Sequence, residues 1–331
     1  MRKLLVTSAV ALLVGACGLP FGIGHPSTAD LTHGAADNLA KAKSFEVKAR
    51  FTQNGKPTDL DIQFTAPATI HITGSQGADE FEMLRYGGKV YYKGASYLAT
   101  IITDQDAASV LKGARTRWVT SSQFNGIDTS ALTDPSKARQ VLTSVVTKRQ
   151  DDVTVAGQNT AELTLPVAVV NITEDSPYRL VRVRSIPGQP LQEGVADLDE
   201  SLSNYDKNFG SQAPDDVFDF DDPTTWPPRY VADTISQTTI SGTNSCDDPC
   251  RLSAEVENSG GLKGGTMGST VTFKLTSAAD NSLLGSCSVT IQPDHPHAEK
   301  FTVGCSIQSS AWTNFTGSYH YGADIDNPTY D

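Results

Sequence analysis

Five cysteines carry the most reactive groups in this 331-residue sequence. Cys17 stands alone near the start, while Cys246, Cys250, Cys287 and Cys305 all fall in the last third. In an oxidising compartment such an even set reads as two disulfides. Cys287 and Cys305 are equidistant from residue 296, inside the turn His295-Pro296-His297. That symmetry places them opposite each other across a hairpin, at a separation a disulfide closes. Cys246 and Cys250 then pair by exclusion, across Pro249. Other chemistry is sparse. His295, His297 and Glu299 carry metal-ligating groups, but a polar turn explains them equally well. Asp215, Asp216, Asp219, Asp221 and Asp222 lack the spacing and central glycine of a calcium loop. Gly260 to Gly265 is glycine-rich, yet no parallel-sheet pattern precedes it, so a mobile hairpin loop is expected rather than a phosphate cradle. His25, His33, His71 and His320 are scattered. The chain has no G-x-S-x-G elbow, no H-E-x-x-H and no Walker loop. The expectation is a binding protein, not an enzyme, with no cofactor and no metal.

Cys17 has its own context. Arg2 and Lys3 form a positive head, Leu4 to Val14 is apolar apart from Thr7 and Ser8, and small residues follow. This is a secretory leader, too short for a spanning helix of about 20 apolar residues. The ending Val14-Gly15-Ala16-Cys17 resembles the bacterial lipoprotein signal motif. The resemblance implies cleavage before Cys17, acylation of that cysteine, and a chain held on the extracytoplasmic face of a bacterial cell membrane. Two or more acyl chains anchor stably where one holds marginally. The composition fits this setting. Asp and Glu number 38 against 26 Lys and Arg, a net charge of −12. Loss of Arg2 and Lys3 with the leader makes the remainder more acidic. Nucleic acid is therefore excluded as a partner, and attraction to anionic lipid heads is not available to supplement the anchor.

The elements follow from hydrophobic period. Residues 17–27 read as a flexible tether. Thr28 to Ala42 places Leu31, Ala35, Leu39 and Ala42 on one helical face, with Ser27 and Asp30 as its cap. The period then drops to two. Phe45, Val47, Ala49 and Phe51 alternate with charged residues, as do Leu60, Ile62 and Phe64, then Ile70 and Ile72, then Phe81 and Met83. Successive half-apolar strands with short turns make an antiparallel meander. A helix over Asp104 to Lys112 should stop at Gly113. Asp134-Pro135 opens another, with Ala138, Val141, Leu142 and Val145 as its inward stripe. Strands resume and include Val181 and Val183. Residues 213–229 combine acidic residues with four prolines and read as a solvated linker. From Tyr230 short strands restart, among them Thr234 to Ile240, and suggest a small sandwich.

The first strand region, with its leader motif, helix, meander and Asp134-Pro135 helix, resembles the LolA/LolB-like and LprG/LppX-like lipoprotein carriers. Val155-Ala156-Gly157-Gln158-Asn159-Thr160 is similar to their strand-turn-strand after the helix. Ser176-Pro177-Tyr178-Arg179-Leu180-Val181-Arg182 is similar to their hairpin that re-enters the sheet. The C-terminal pattern, from Val256-Glu257-Asn258-Ser259 onward, resembles Ig-like FxLYD domains, although the Phe-x-Leu-Tyr-Asp signature is absent. These resemblances imply a mainly β (α+β) chain: a curved antiparallel half-barrel sheet covered by short helices over residues 28–212, and an Ig-like β-sandwich over 230–331. They also imply that Phe45, Val47, Ala49, Phe51, Leu60, Ile62, Phe64, Ile70, Ile72, Phe81, Met83, Val181 and Val183 line a cavity for lipid or another hydrophobic ligand. Read from alternation alone, the same residues form an ordinary filled core. The second functional reading is a cell-surface scaffold whose sandwich binds a partner protein or wall component.

Overall fold

The structure is a computed structural model that describes residues 24–331 apart from 103, 128, 130–132, 187, 189–194, 238–245, 247 and 331. Cys17 with its leader, and residues 238–240 of the expected strand, lie outside the described residues. The chain is mainly β, with one large curved sheet, short helices and smaller sheets. In order it forms α1 (Thr28–Lys41), β1 (Ser44–Gln53), β2 (Lys56–Thr65), β3 (Thr69–Gln76), β4 (Asp79–Tyr86), β5 (Lys89–Lys93), α2 (Ala95–Ile101), α3 (Gln105–Leu111), β6 (Trp118–Thr120) and α4 (Pro135–Leu142). There follow β7 (Lys148–Val155), β8 (Gln158–Thr164), β9 (Ala168–Thr173), β10 (Leu180–Ser185), β11 (Val195–Ser203) and β12 (Val217–Asp219). The last part is β13 (Tyr230–Gln237), β14 (Cys250–Asn258), β15 (Ser269–Ser277), β16 (Leu283–Ile291), β17 (Lys300–Ile307), α5 (Ser310–Thr313) and β18 (Tyr319–Asp326). Two compact units result: residues up to Ala78 with Ile127–Ser211, and Asp79–Gly126 with Gln212–Asp331. The sequence placed Asp79–Gly126 in the first domain; its contacts place it in the second unit.

In the first unit the strands run β3-β2-β1-β11-β10-β9-β8-β7, each antiparallel to its neighbours. Register shifts between Arg50 and Thr52, between Leu180 and Arg182, and between Gln150 and Val153 bend the strands. α1 begins where Ser27 Oγ accepts the Asp30 amide at 3.1 Å, and it buries Leu31, Ala35, Ala36 and Leu39. It packs against α4, β9 and β10. α4 is capped by Asp134, whose carboxylate accepts the amides of Ser136 and Lys137. It buries Ala138 and Leu142 but ends there, so Val145, expected on the inward stripe, is 75% exposed.

The end of the expected tether is docked rather than free. His25 Nδ1 meets Glu174 Oε2 at 2.6 Å and His25 Nε2 faces Asp152 at 3.6 Å. Arg149 donates to the Pro26 carbonyl at 2.8 Å and to Thr28 Oγ1 at 3.1 Å. The hydrogen bond to Glu174, reinforced by the nearby charges of Glu174, Asp152 and Asp151, raises the His25 pKa above 6.5.

In the second unit β4, β5 and β6 are antiparallel and β12 joins β6 in parallel. Within the stretch expected to be a solvated linker, Phe218 is fully buried and stacks on Trp226 at 5.5 Å. Arg117 donates to Asp216 at 2.8 Å and to the Val217 carbonyl at 2.8 Å. Aromatic contacts tie Phe218 through Phe220 and Phe124 to Tyr92. α2 had no sequence signal. Its N-cap is Gly94 at φ 113°, and a Cβ there would lie 2.6 Å from the Glu80 carbonyl, so glycine is required. Gly113 does not stop α3 but sits in the following 3-10 turn, packed against Tyr330.

The sandwich has sheets β13-β14-β17 and β16-β15-β18 around a core that includes Tyr230, Leu252, Val256, Val271, Phe273 and Trp312. Cys287 bonds Cys305 and Cys246 bonds Cys250, the two pairs read from the sequence. The hairpin register that suggested the first pair is not present. β16 pairs with β15 and β17 pairs with β14, so the Cys287–Cys305 bridge joins the edges of two sheets at a Cα separation of 6.2 Å. The glycine-rich loop is also pinned: a Cβ at Gly260 would lie 2.1 Å from the Pro227 carbonyl, and one at Gly261 2.1 Å from that of Thr224.

The raised His25 pKa gives the docked segment a pH dependence. Docking of the imidazolium contributes fully below the unfolded pKa and fades as pH rises through the folded one. The amide protection factor at Ser27, its exchange rate taken relative to the intrinsic rate at each pH, should therefore be smaller at pH 9 than at pH 6, and His25→Ala should remove that difference. Equal protection factors in the original chain at both pH values would refute the clamp.

Candidate functional site

Cross-strand partners in an antiparallel sheet point to the same side, so the register of the first unit assigns its inner face. Phe45 faces Phe64, Val47 faces Ile62 and Leu202, and Ala49 faces Leu60 and Glu200. The rows continue to Ile70, Ile72 and Gly74 on β3, and from Glu200 to Val183 and Val170 on β10 and β9. Charged partners occupy the other side: Arg50 with Asp59 at 2.7 Å, Arg182 with Asp199 at 2.5 Å, and Arg184 with Glu162 at 2.6 Å.

The inner face is not uniform. At the Phe45 end it is shut: Phe45 and Phe64 rings lie 4.9 Å apart, and Phe45, Val47, Ile70 and Ile72 are 2% exposed or less. A side chain lining an open cavity would be touched by water from within, so these four are packed core. Leu60, Ile62, Phe64, Ala49 and Val181 are also buried. Toward the other end accessibility returns. Phe51, Gly74, Val183, Leu198 and Glu200 are half-buried, beside the small side chain of Ala49. Of the residues expected to line one cavity, the structure brings eleven inner-face positions together in the first unit: Phe45, Val47, Ala49, Phe51, Leu60, Ile62, Phe64, Ile70, Ile72, Val181 and Val183. Phe81 and Met83 belong to the second unit, where both are buried and Phe81 stacks on Tyr97 at 4.1 Å.

Glu200 is the residue that sequence reasoning missed. Its neighbours across the sheet are Ala49 and Val183, and along β11 the same face carries Leu198 and Leu202. No hydrogen-bond donor among the described residues meets its carboxyl group. Its side chain is half-buried, and desolvation by the protein around it, helped by the charge of Asp199, pushes its pKa up to about 7. An unpaired carboxylate in apolar surroundings is costly and takes up a proton instead. The signal was present in the sequence, since Glu200 falls on the apolar phase of Leu198 and Leu202.

Other polar groups gather elsewhere. A cleft of about 440 Å³ between α1, the end of α4 and β7 is lined by Thr28, Thr32, His33, Ser144, Lys148 and Arg149 among others; it contains none of the expected cavity residues. His25, Asp152 and Glu174 have the donor set for a metal ion. However, the two ring nitrogens of His25 face different carboxylates, the geometry of an ion pair rather than of ligands converging on one ion. His295 and His297 diverge. His295 stacks on Phe301 and meets Glu299 at 3.1 Å, whereas His297 bonds the Gly260 carbonyl at 2.9 Å. Asn258 meets the loop with all four of its bonds made, to Arg229 N, Gly260 N, Gly261 O and His295 O.

No protein-family description matches the chain, and no curated protein matches it. Among solved structures it is similar to LprF from Mycobacterium bovis, at 13% identity and a TM-score of 0.34, over 58% of this chain and 99% of that one. It is also similar to the Pseudomonas aeruginosa MucA/MucB complex, at 12% identity and a TM-score of 0.27, over 82% of this chain and 99% of that one. Scores this low carry no functional argument, which rests on the chain's own geometry.

The Glu200 pKa has a stability consequence. The folded value of about 7 exceeds the ordinary 4.5, so between these the native chain holds a proton that the unfolded chain has lost. Unfolding free energy should therefore fall as pH rises from about 4.5 to 7, by at most about 3.5 kcal/mol at roughly 1.4 kcal/mol per unit. Glu200→Gln should flatten that part of the profile, raising Tm at pH 8 while leaving it nearly unchanged at pH 4.5. Parallel profiles for the two proteins would contradict the assignment.

Proposed function

We propose that this chain is a membrane-tethered extracytoplasmic binding protein, not an enzyme, that takes an apolar ligand on the inner face of its first unit. The observation that carries this reading is the accessible stretch Phe51, Val183, Leu198 and Glu200 beside Ala49, next to apolar rows through Phe45, Val47 and Ala49 and bordered by Thr58 and Gln76 in the Phe51 row. Water-accessible apolar surface gains when a hydrocarbon chain displaces the water. The leader ending at Cys17 supports attachment by acylation, and no helix among the described residues is long and apolar enough to cross a membrane. A second reading, a scaffold that binds a partner protein or wall component through the sandwich, is favoured by the closed packing of Val47 and Ile72.

Ala49→Trp separates them. Over a ligand space the indole occupies the ligand's volume, so lipid binding should be lost while Tm moves by no more than a few degrees. In a filled core the same change overpacks and costs about 1–3 kcal/mol. A large fall in Tm, with no lipid on either protein in native mass spectrometry, would favour the scaffold.

Attachment is checked separately. Cys17→Ser should abolish fatty-acid labelling and release the protein from the membrane fraction; undiminished labelling would place the anchor elsewhere.

A further inference from the structure

Glu200 narrows the class of ligand, an inference that rests on the binding reading above. Along its row across the inner face the side chains are Leu60, Ala49, Glu200, Val183 and Val170. Glu200 is the one polar side chain among them, and it has no hydrogen-bond donor among the described residues. A site that served hydrocarbon alone would be better lined there by Leu or Val, because a half-buried carboxyl group among apolar side chains loses part of its hydration and gains no partner in return.

We propose that the inner-face site takes an amphiphile carrying a free hydroxyl, with its acyl chain along the apolar rows and its hydroxyl hydrogen-bonded to the Glu200 carboxyl group. A hydroxyl both donates and accepts. It therefore satisfies the ionised carboxylate and the neutral acid alike, and Glu200 changes between these near neutral pH. An ester carbonyl meets only the acid form. An ammonium group has three donors to satisfy, and this row offers one carboxyl group. A single hydroxyl is the polar group whose needs the site meets.

The test compares two probes that share one acyl chain, 2-hydroxyethyl oleate, with one free hydroxyl, and methyl oleate, with none. Both are delivered from cyclodextrin and titrated by native mass spectrometry against the chain carrying Cys17→Ser, so that no acyl group of its own competes. The expected result is at least tenfold tighter binding of 2-hydroxyethyl oleate. Glu200→Leu should bind the two probes equally, and Glu200→Gln should keep the preference, because an amide also donates and accepts. Equal binding by the original site, or a preference that survives Glu200→Leu, overturns the hydroxyl assignment while leaving the carrier reading in place. Failure of both probes to bind overturns both readings. Glu200→Ala replaces the Leu variant if circular dichroism shows that the latter does not fold.

Discussion

The register of β11 against β1 is the constraint on which the first unit depends. Ala49 opposes Glu200 and Arg50 opposes Asp199. A slip of one residue would exchange the faces of the strand, bringing Asp199 inside and breaking its ion pair with Arg182. The inner apolar rows and outer ion pairs hold this pairing from both sides. Surface pairs contribute little each, so the burial of Val47, Leu202, Ile62 and Ile72 supplies most of the energy and the charges mainly penalise the wrong register. A carboxyl group on the apolar side is then a cost that the rest of the register carries.

Period-two alternation made most strands of both units legible, though not β12 or β18, because it reports one buried face irrespective of what covers that face. Helix α1 was legible for the same reason, with a cap as its start signal. Partnership between strands was not. The symmetric spacing of Cys287 and Cys305 about residue 296 suggested a hairpin, yet the two strands lie in different sheets. Sequence distance from a turn cannot separate a hairpin from a crossover between sheets when both bring the cysteines within bonding range. The pairing was right and its geometric reason was not.

Two further differences share a cause. Residues 213–229 read as linker because aspartate and proline dominate locally, but Phe218 and Trp226 are large apolar groups whose burial outweighs the local bias. Gly260 and Gly261 read as mobile because glycine is permissive, whereas here the absence of a Cβ lets the loop approach the carbonyls of Pro227 and Thr224. In both, composition gives the prior and long-range packing decides. Val145 shows the reverse: its helical phase was correct, but the helix ends at Leu142 before phase can matter.

The candidate site was half legible. Its apolar residues follow from alternation, and eleven of the thirteen come together in one unit. What alternation cannot report is whether an inward side chain meets protein or space, since both leave the same pattern of residue types. Accessibility resolves this along a single strand: Phe45 and Val47 are closed while Phe51 is partly open. Glu200 sits where that change occurs. A carboxyl group deeper in the closed end would have no route to a partner and would only destabilise; one on the outer face would be solvated and select nothing. At the boundary between packed core and accessible surface, its unpaired state can be relieved by something that enters, and this links the position of one acidic residue to the use of the face around it.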